Sequence, residues 1–243
     1  MSHHLQTIIL TARPAAGKSE VIDYLKKVSD ADRLRRFHLG PFEEFDDFPA
    51  LWEKFEEDDI FEHHGRPRLY TDAKKYFLDD FFWTFMIEKI NLAYRKRLAR
   101  EPGWLEHGSA IIEFARGGED GIGSALRTLH DDVLSRAGIV YLDVSYEESV
   151  RKNRRRFRPD QADSILFHSL PDEKMEHYYR TNDWAKLSGG KREGFIPVGA
   201  HRVPFAVLAN EPEVTDHPDK LGPALEDVFA RLRGQFEALG RRG

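Results

Sequence analysis

The chain has 243 residues, 40% hydrophobic and 33% charged, which suits one sizeable globular domain. Its formal charge of −5 excludes a general electrostatic drive toward nucleic acid or anionic membrane, so any basic chemistry must be local. Cysteine is absent, which excludes a disulfide framework and thiolate chemistry.

In chain order, the apolar run Leu5 to Thr11 is too short for an independent helix and predicts a central strand ending at a turn. Val21, Ile22 and Leu25 lie at helical spacing, so Lys18 to Lys27 predicts a helix. A short strand is expected at Phe37 to Leu39. Thr71 is expected to cap a helix running to about Ala99, with Ala73, Phe77, Phe81 and Phe85 at steps of four. That spacing assigns the aromatic run Tyr76 to Phe85 to the core rather than to a stacking platform. Strands follow at Ser109 to Ala115, Ile139 to Ser145 and Val203 to Ala209. Helices are expected at Gly121 to Ala137, Tyr146 to Phe157, Asp172 to Leu187 and Lys220 to Leu239. Strand–helix alternation with apolar strands predicts a parallel sheet covered on both faces, in a single α/β domain over residues 1–243. Two regions break the alternation, an acceptor-side insert at 41–70 and a lid region at 151–202, and both follow strand ends, where open α/β sheets bind ligands. The N-terminal sequence lacks a secretory pattern and no apolar run reaches about 18 residues, so a cytoplasmic protein without membrane spans is expected.

Between the first strand and the first helix stands Ala12-Arg13-Pro14-Ala15-Ala16-Gly17-Lys18-Ser19, followed by Glu20. It matches the Walker A pattern, with alanine in place of the first glycine. Gly17 lets the backbone approach an anion, which successive N–H groups and the helix N-terminus then surround. Lys18 reaches toward the β- and γ-phosphates and Ser19 offers its hydroxyl to Mg²⁺. This segment therefore predicts binding of ATP or another nucleoside triphosphate with magnesium.

With the cradle on that context, the chain resembles the P-loop NTPases, and within them the adenylate, shikimate and gluconate kinase-like group. The resemblance spans most of the chain in element order; only the cradle and an arginine-rich segment are specific. It implies a three-layer α/β/α fold with a five-stranded parallel sheet of order 2-3-1-4-5. It also implies an acceptor site after the second and third strands and a lid with arginines after the fourth.

The remaining candidates follow from position. Five arginines fall between positions 151 and 158, and guanidinium forks suit the charge of a transferring phosphoryl group. Arg151 and Arg155 are expected to act on it, and Arg154 and Arg158 to hold the nucleotide. Glu113, near the third strand's end, can orient Mg²⁺ or take the acceptor's proton, and Arg116 can hold an acceptor anion. Asp46 and Asp47 stand where related kinases carry an aspartate for metal or acceptor; adjacent residues point apart, so one of them acts, with Asp47 the candidate Mg²⁺ ligand. Arg66 and Arg68 are further acceptor candidates. The resemblance places Asn210 beside the nucleobase. Ser188 to Gly194 is either a second flap or an exposed turn. The eleven histidines show no metal-ligand spacing.

The expected function is transfer of the γ-phosphoryl group to a small hydroxyl or phosphate acceptor. The alternatives are a nucleotide-operated switch or ATPase controlling a partner, and an end-kinase on nucleic acid. No NKxD motif supports the switch, and overall acidity argues against long nucleic acid.

Overall fold

The computed structural model describes residues 4–156 and 169–240. Strand β1 (Thr7–Ala12) is buried along its whole length, as a central parallel strand must be. It leads through the cradle into α1 (Lys18–Lys27), followed by α2 (Asp30–Phe37), β2 (Phe42–Asp46), α3 (Phe48–His63) and α4 (Phe81–Arg100). After a single 3₁₀ turn come β3 (Ser109–Ala115), α5 (Gly121–Thr128), α6 (Asp131–Leu134), β4 (Ala137–Asp143) and α7 (Tyr146–Arg156). The chain continues with α8 (Asp172–Tyr179), α9 (Trp184–Ser188), β5 (Glu193–Val198), β6 (His201–Ala209) and α10 (Pro218–Ala238).

The sheet order is β2-β3-β1-β4-β6-β5. Its first five members are parallel neighbours in the expected 2-3-1-4-5 arrangement, with β6 as the fifth. The sixth strand, β5, was not anticipated: it forms an antiparallel hairpin with β6 at the sheet edge. Apolar side chains of alternate strand positions separate into two cores. One lies under α4, α5 and α9 and includes Ile9, Ile112, Tyr94 and Trp184; the other lies under α1, α2 and α10 and includes Leu10, Ile22, Phe37 and Phe229. These are the three layers. Among the described residues no helix is long and apolar enough to cross a membrane.

Several expected boundaries move. Phe37 ends α2, whose N-cap Ser29 accepts a hydrogen bond from the Asp32 amide, and the strand begins later, at Phe42. The long helix expected from Thr71 starts only at Phe81. Asp72 accepts from the Lys74 and Tyr76 amides and Asp79 from the Phe81 amide, so aspartate side chains capture the donors that a helix would need. Thr71 instead forms a β-bridge to Phe77. The helix expected over 121–137 breaks after Thr128, where buried Asn91 donates to the Thr128 carbonyl and accepts from the His130 amide. Asp172 to Leu187 likewise divides into α8 and α9. The C-terminal part of the lid region is sheet edge rather than lid, and the Ser188 to Gly194 segment is a helix end running into β5.

Candidate active site

The cradle is built as its sequence requires. Ala12 is fully buried at the end of β1, Ala15 and Gly17 have positive φ (54° and 109°), and α1 begins at Lys18. A Cβ on Gly17 would lie 2.7 Å from the Thr215 hydroxyl and 2.8 Å from Asn210 Nδ2, so this position has neither the conformation nor the space for another residue. The loop is braced from outside. Ser149 Oγ donates to the Pro14 carbonyl at 2.7 Å, and Asn210 Nδ2 donates to the Ala16 carbonyl and to Thr215 Oγ1, each at 2.8 Å. Arg13 donates to the carbonyls of Val144, Tyr179 and Arg180. Arg13 and Asn210 are therefore occupied in holding the loop; Asn210 is completely buried rather than turned to a nucleobase.

Lys18 is 7% exposed, and its Nζ lies 3.7 Å from Glu113 Oε1. Ser19 is exposed at the head of α1. The parallel register pairs Asp46 of β2 with Glu113 of β3, which puts both carboxylates on the α1 face of the sheet, near Lys18. Asp46 accepts the Phe48 amide at 2.9 Å. Burial, helped by the neighbouring Glu113 and Asp47 carboxylates, pushes Asp46 up to about 7. Burial also raises Glu113, with Lys18 opposing the shift.

The adjacent aspartates diverge, as expected. Asp47 is buried and paired with Arg116, its Oδ2 2.6 Å from Nη2. Arg116 in turn donates to the carbonyls of Ala115 and Trp83 and lies 5.0 Å above the Trp83 ring. Arg66 is exposed; Arg68 is drawn into ion pairs with Asp59 and Glu62, away from these carboxylates.

The expected inward arginines face outward. Arg151 pairs with Glu148 and Glu213, Arg154 with Asp172, and Arg155 with Glu213 and Asp216. Arg158 lies outside the described residues. Among the described residues of α7, the arginine that reaches the cradle is Arg156, whose Nη2 is 3.4 Å from Glu20 Oε1. The signal was present: Ser149, Lys152, Asn153 and Arg156 follow one helical stripe, and the first three are buried. Lys152 Nζ is 2.5 Å from Glu213 Oε1 and donates to Thr215 Oγ1, the residue that crowds Gly17. Nothing in its local sequence marks this lysine as buried.

Beyond Arg116 opens a cleft of about 360 Å³, lined among others by Asp80, Trp83, Asp120, Ser124 and Tyr178. The aromatic run assigned to the core forms this side of the molecule instead: Trp83 lines the cleft, whereas Phe81 is 60% and Leu78 58% exposed. The buried positions of α4 begin at Met86. Gly117 lets the strand end approach α8, since a Cβ there would lie 2.1 Å from the Tyr178 carbonyl oxygen.

No family model and no curated protein matches this sequence. Among solved structures, a gluconokinase from Sinorhizobium meliloti 1021 aligns over 98% of both chains at 14% identity with a TM-score of 0.51. A sugar kinase from Janibacter sp. HTCC2649 aligns over 93% of this chain and 95% of its own, at 11% identity and a TM-score of 0.42. Sheet order, layers and the strand–cradle–helix unit define a protein with the P-loop kinase-like fold.

Proposed function

We propose that this protein is an ATP- and Mg²⁺-dependent phosphotransferase that moves the γ-phosphoryl group to a hydroxyl or phosphate of a small acceptor. The observation that carries the reading is a buried lysine at the head of α1, after a left-handed Gly17, with two raised carboxylates beside it. A buried ammonium with only a 3.7 Å contact to Glu113 is costly, and an anion in the loop would repay it.

In this reading the amides from Ala15 to Ser19 and the Lys18 ammonium hold the donor's phosphates. Charge stabilisation at the transferring group supplies most of the rate in such reactions. Asp46, poised near neutrality, accepts the acceptor's proton as its oxygen attacks, with Glu113 as the neighbouring carboxylate that tunes it. Asp47 holds Arg116 in place, and the metal role expected of it passes to Ser19 with Glu113. Among the described residues no group of three or more His, Asp or Glu side chains could hold a metal alone. That fits a magnesium bound mainly by phosphate, with Ser19 contributing its hydroxyl; when bound, it neutralises charge on the phosphates. In this reading Arg156, which reaches Glu20 in the first turn of α1, turns its guanidinium to the donor's phosphates. Arg151, Arg154 and Arg155 keep their carboxylate partners and steady the outer face of α7, leaving the phosphates to Arg156.

Single-turnover incubation with γ-labelled ATP and a panel of small acceptors tests the proposal. Label is expected on an acceptor, and Lys18→Ala is expected to abolish its transfer. ATP binding with no acceptor ever labelled would overturn the kinase reading in favour of a switch.

A further inference from the structure

The cleft beyond Arg116 has the wrong polarity for an anionic acceptor. Among the described residues that line it Arg116 is the one cation, and its guanidinium is already committed to Asp47 and to the Ala115 and Trp83 carbonyls. The N-terminus of α5, which forms one wall and would otherwise favour an anion, is closed from behind. Asp183 accepts the Ile122 amide at 3.0 Å and the Gly123 amide at 2.7 Å. Two carboxylates remain at the rim. Asp120 is neutralised by Arg127; Asp80 is exposed, makes no capping hydrogen bond to α4 and has no ion pair among the described residues. The rest of the lining combines hydroxyls, at Thr84, Ser124 and Tyr178, with the Trp83 indole.

A volume of about 360 Å³ is at the small end for ligand sites and suits a molecule of monosaccharide size. Hydroxyl groups match the Ser, Thr and Tyr side chains, aromatic rings suit apolar sugar faces and cations, and the unpaired Asp80 carboxylate suits an ammonium. We infer that the acceptor cleft takes a small polyhydroxylated amine, of amino-sugar or aminocyclitol type, with Asp80 as the residue that selects the ammonium. This rests on reading the cleft as the acceptor side of a kinase.

Isothermal titration of the nucleotide-free protein with D-glucosamine, D-glucose and D-gluconate tests it, because the three share a six-carbon polyol skeleton at charges of about +1, 0 and −1 near pH 7. Glucosamine is expected to bind about fivefold tighter than glucose, and gluconate weakest. Asp80→Asn, at an exposed site whose folding is checked by thermal melting, is expected to bring glucosamine affinity down to that of glucose measured on the same variant. Equal or tighter binding of gluconate overturns the inference. So does a glucosamine preference that survives Asp80→Asn, or failure of all three sugars to bind at tens of millimolar. A separate titration with ATP·Mg²⁺ reports on the cradle, so loss of the kinase reading is distinguishable from loss of the charge preference.

Discussion

Asp46 illustrates how a single residue acquires chemistry from its surroundings. In the folded protein its carboxyl sits at about 7, well above the ordinary carboxylate value, because burial and two neighbouring carboxylates disfavour its charge. The folded state therefore binds a proton more tightly than the unfolded chain. The associated stability is complete below about pH 4 and is lost as pH rises through 7. Ligand-free protein is expected to show a falling urea midpoint between pH 5 and pH 8, and Asp46→Asn is expected to flatten that fall. The raised Glu113 has the same sign and keeps a residual slope. Gly17 gives a second prediction at this scale. Gly17→Ala places a methyl group 2.7 Å from Thr215 in a left-handed conformation, so nucleotide affinity is expected to drop at least tenfold by calorimetry. An unchanged affinity would mean that the loop does not hold phosphate through its backbone.

At the scale of elements, α7 carries its functional distinction in its helical stripe. Arg156 lies on the buried side with Lys152, while Arg151 and Arg155 hold the acids of the loop after β6. Arg156→Ala is expected to lower turnover by about tenfold or more, and Arg151→Ala by much less, in steady-state assays with whichever acceptor the labelling panel identifies. Reversed effects would mean that the outward arginines swing in on closure. The insert α3 is fixed by Asp58, which is fully buried and accepts amides of Leu69, Tyr70 and Thr71 together with the Thr71 hydroxyl. Asp58→Ala leaves these donors unpaired, and a loss of about 3 kcal/mol is expected by denaturant titration. The same contacts place the loop leading to Asp80 and Trp83, so acceptor KM is expected to rise as well.

At the scale of the molecule, the cradle is assembled from elements far apart in sequence: β1 and α1, the start of α7 through Ser149, and the post-β6 loop through Asn210 and Thr215. Binding there is linked to global stability. ATP·Mg²⁺ at about 100 times its Kd is expected to add about 2.7 kcal/mol, or roughly 5–10 °C in Tm for a chain of this size, and Lys18→Ala is expected to abolish the shift. A melting curve indifferent to nucleotide would contradict the donor site. The loop before α4 and α8 are also joined, since Lys174 donates to the Lys75 carbonyl at 2.8 Å and lies 5.0 Å over the Tyr76 ring.

The strand–cradle–helix unit and the parallel alternation were legible in the sequence, because each depends on local conformation: an apolar run, a glycine with positive φ and a helical repeat. Aspartates that capture amides ahead of α4, at Asp72 and Asp79, outcompeted the apolar spacing from Thr71 and delayed the helix to Phe81. Tertiary structure alone decided that Asp46 faces Glu113 while Asp47 takes Arg116, that Arg13 and Asn210 brace the loop, and that a sixth strand closes the sheet edge. Those outcomes depend on strand register and on which helix face meets which loop. Such long-range pairings leave no periodic trace in the residues that make them.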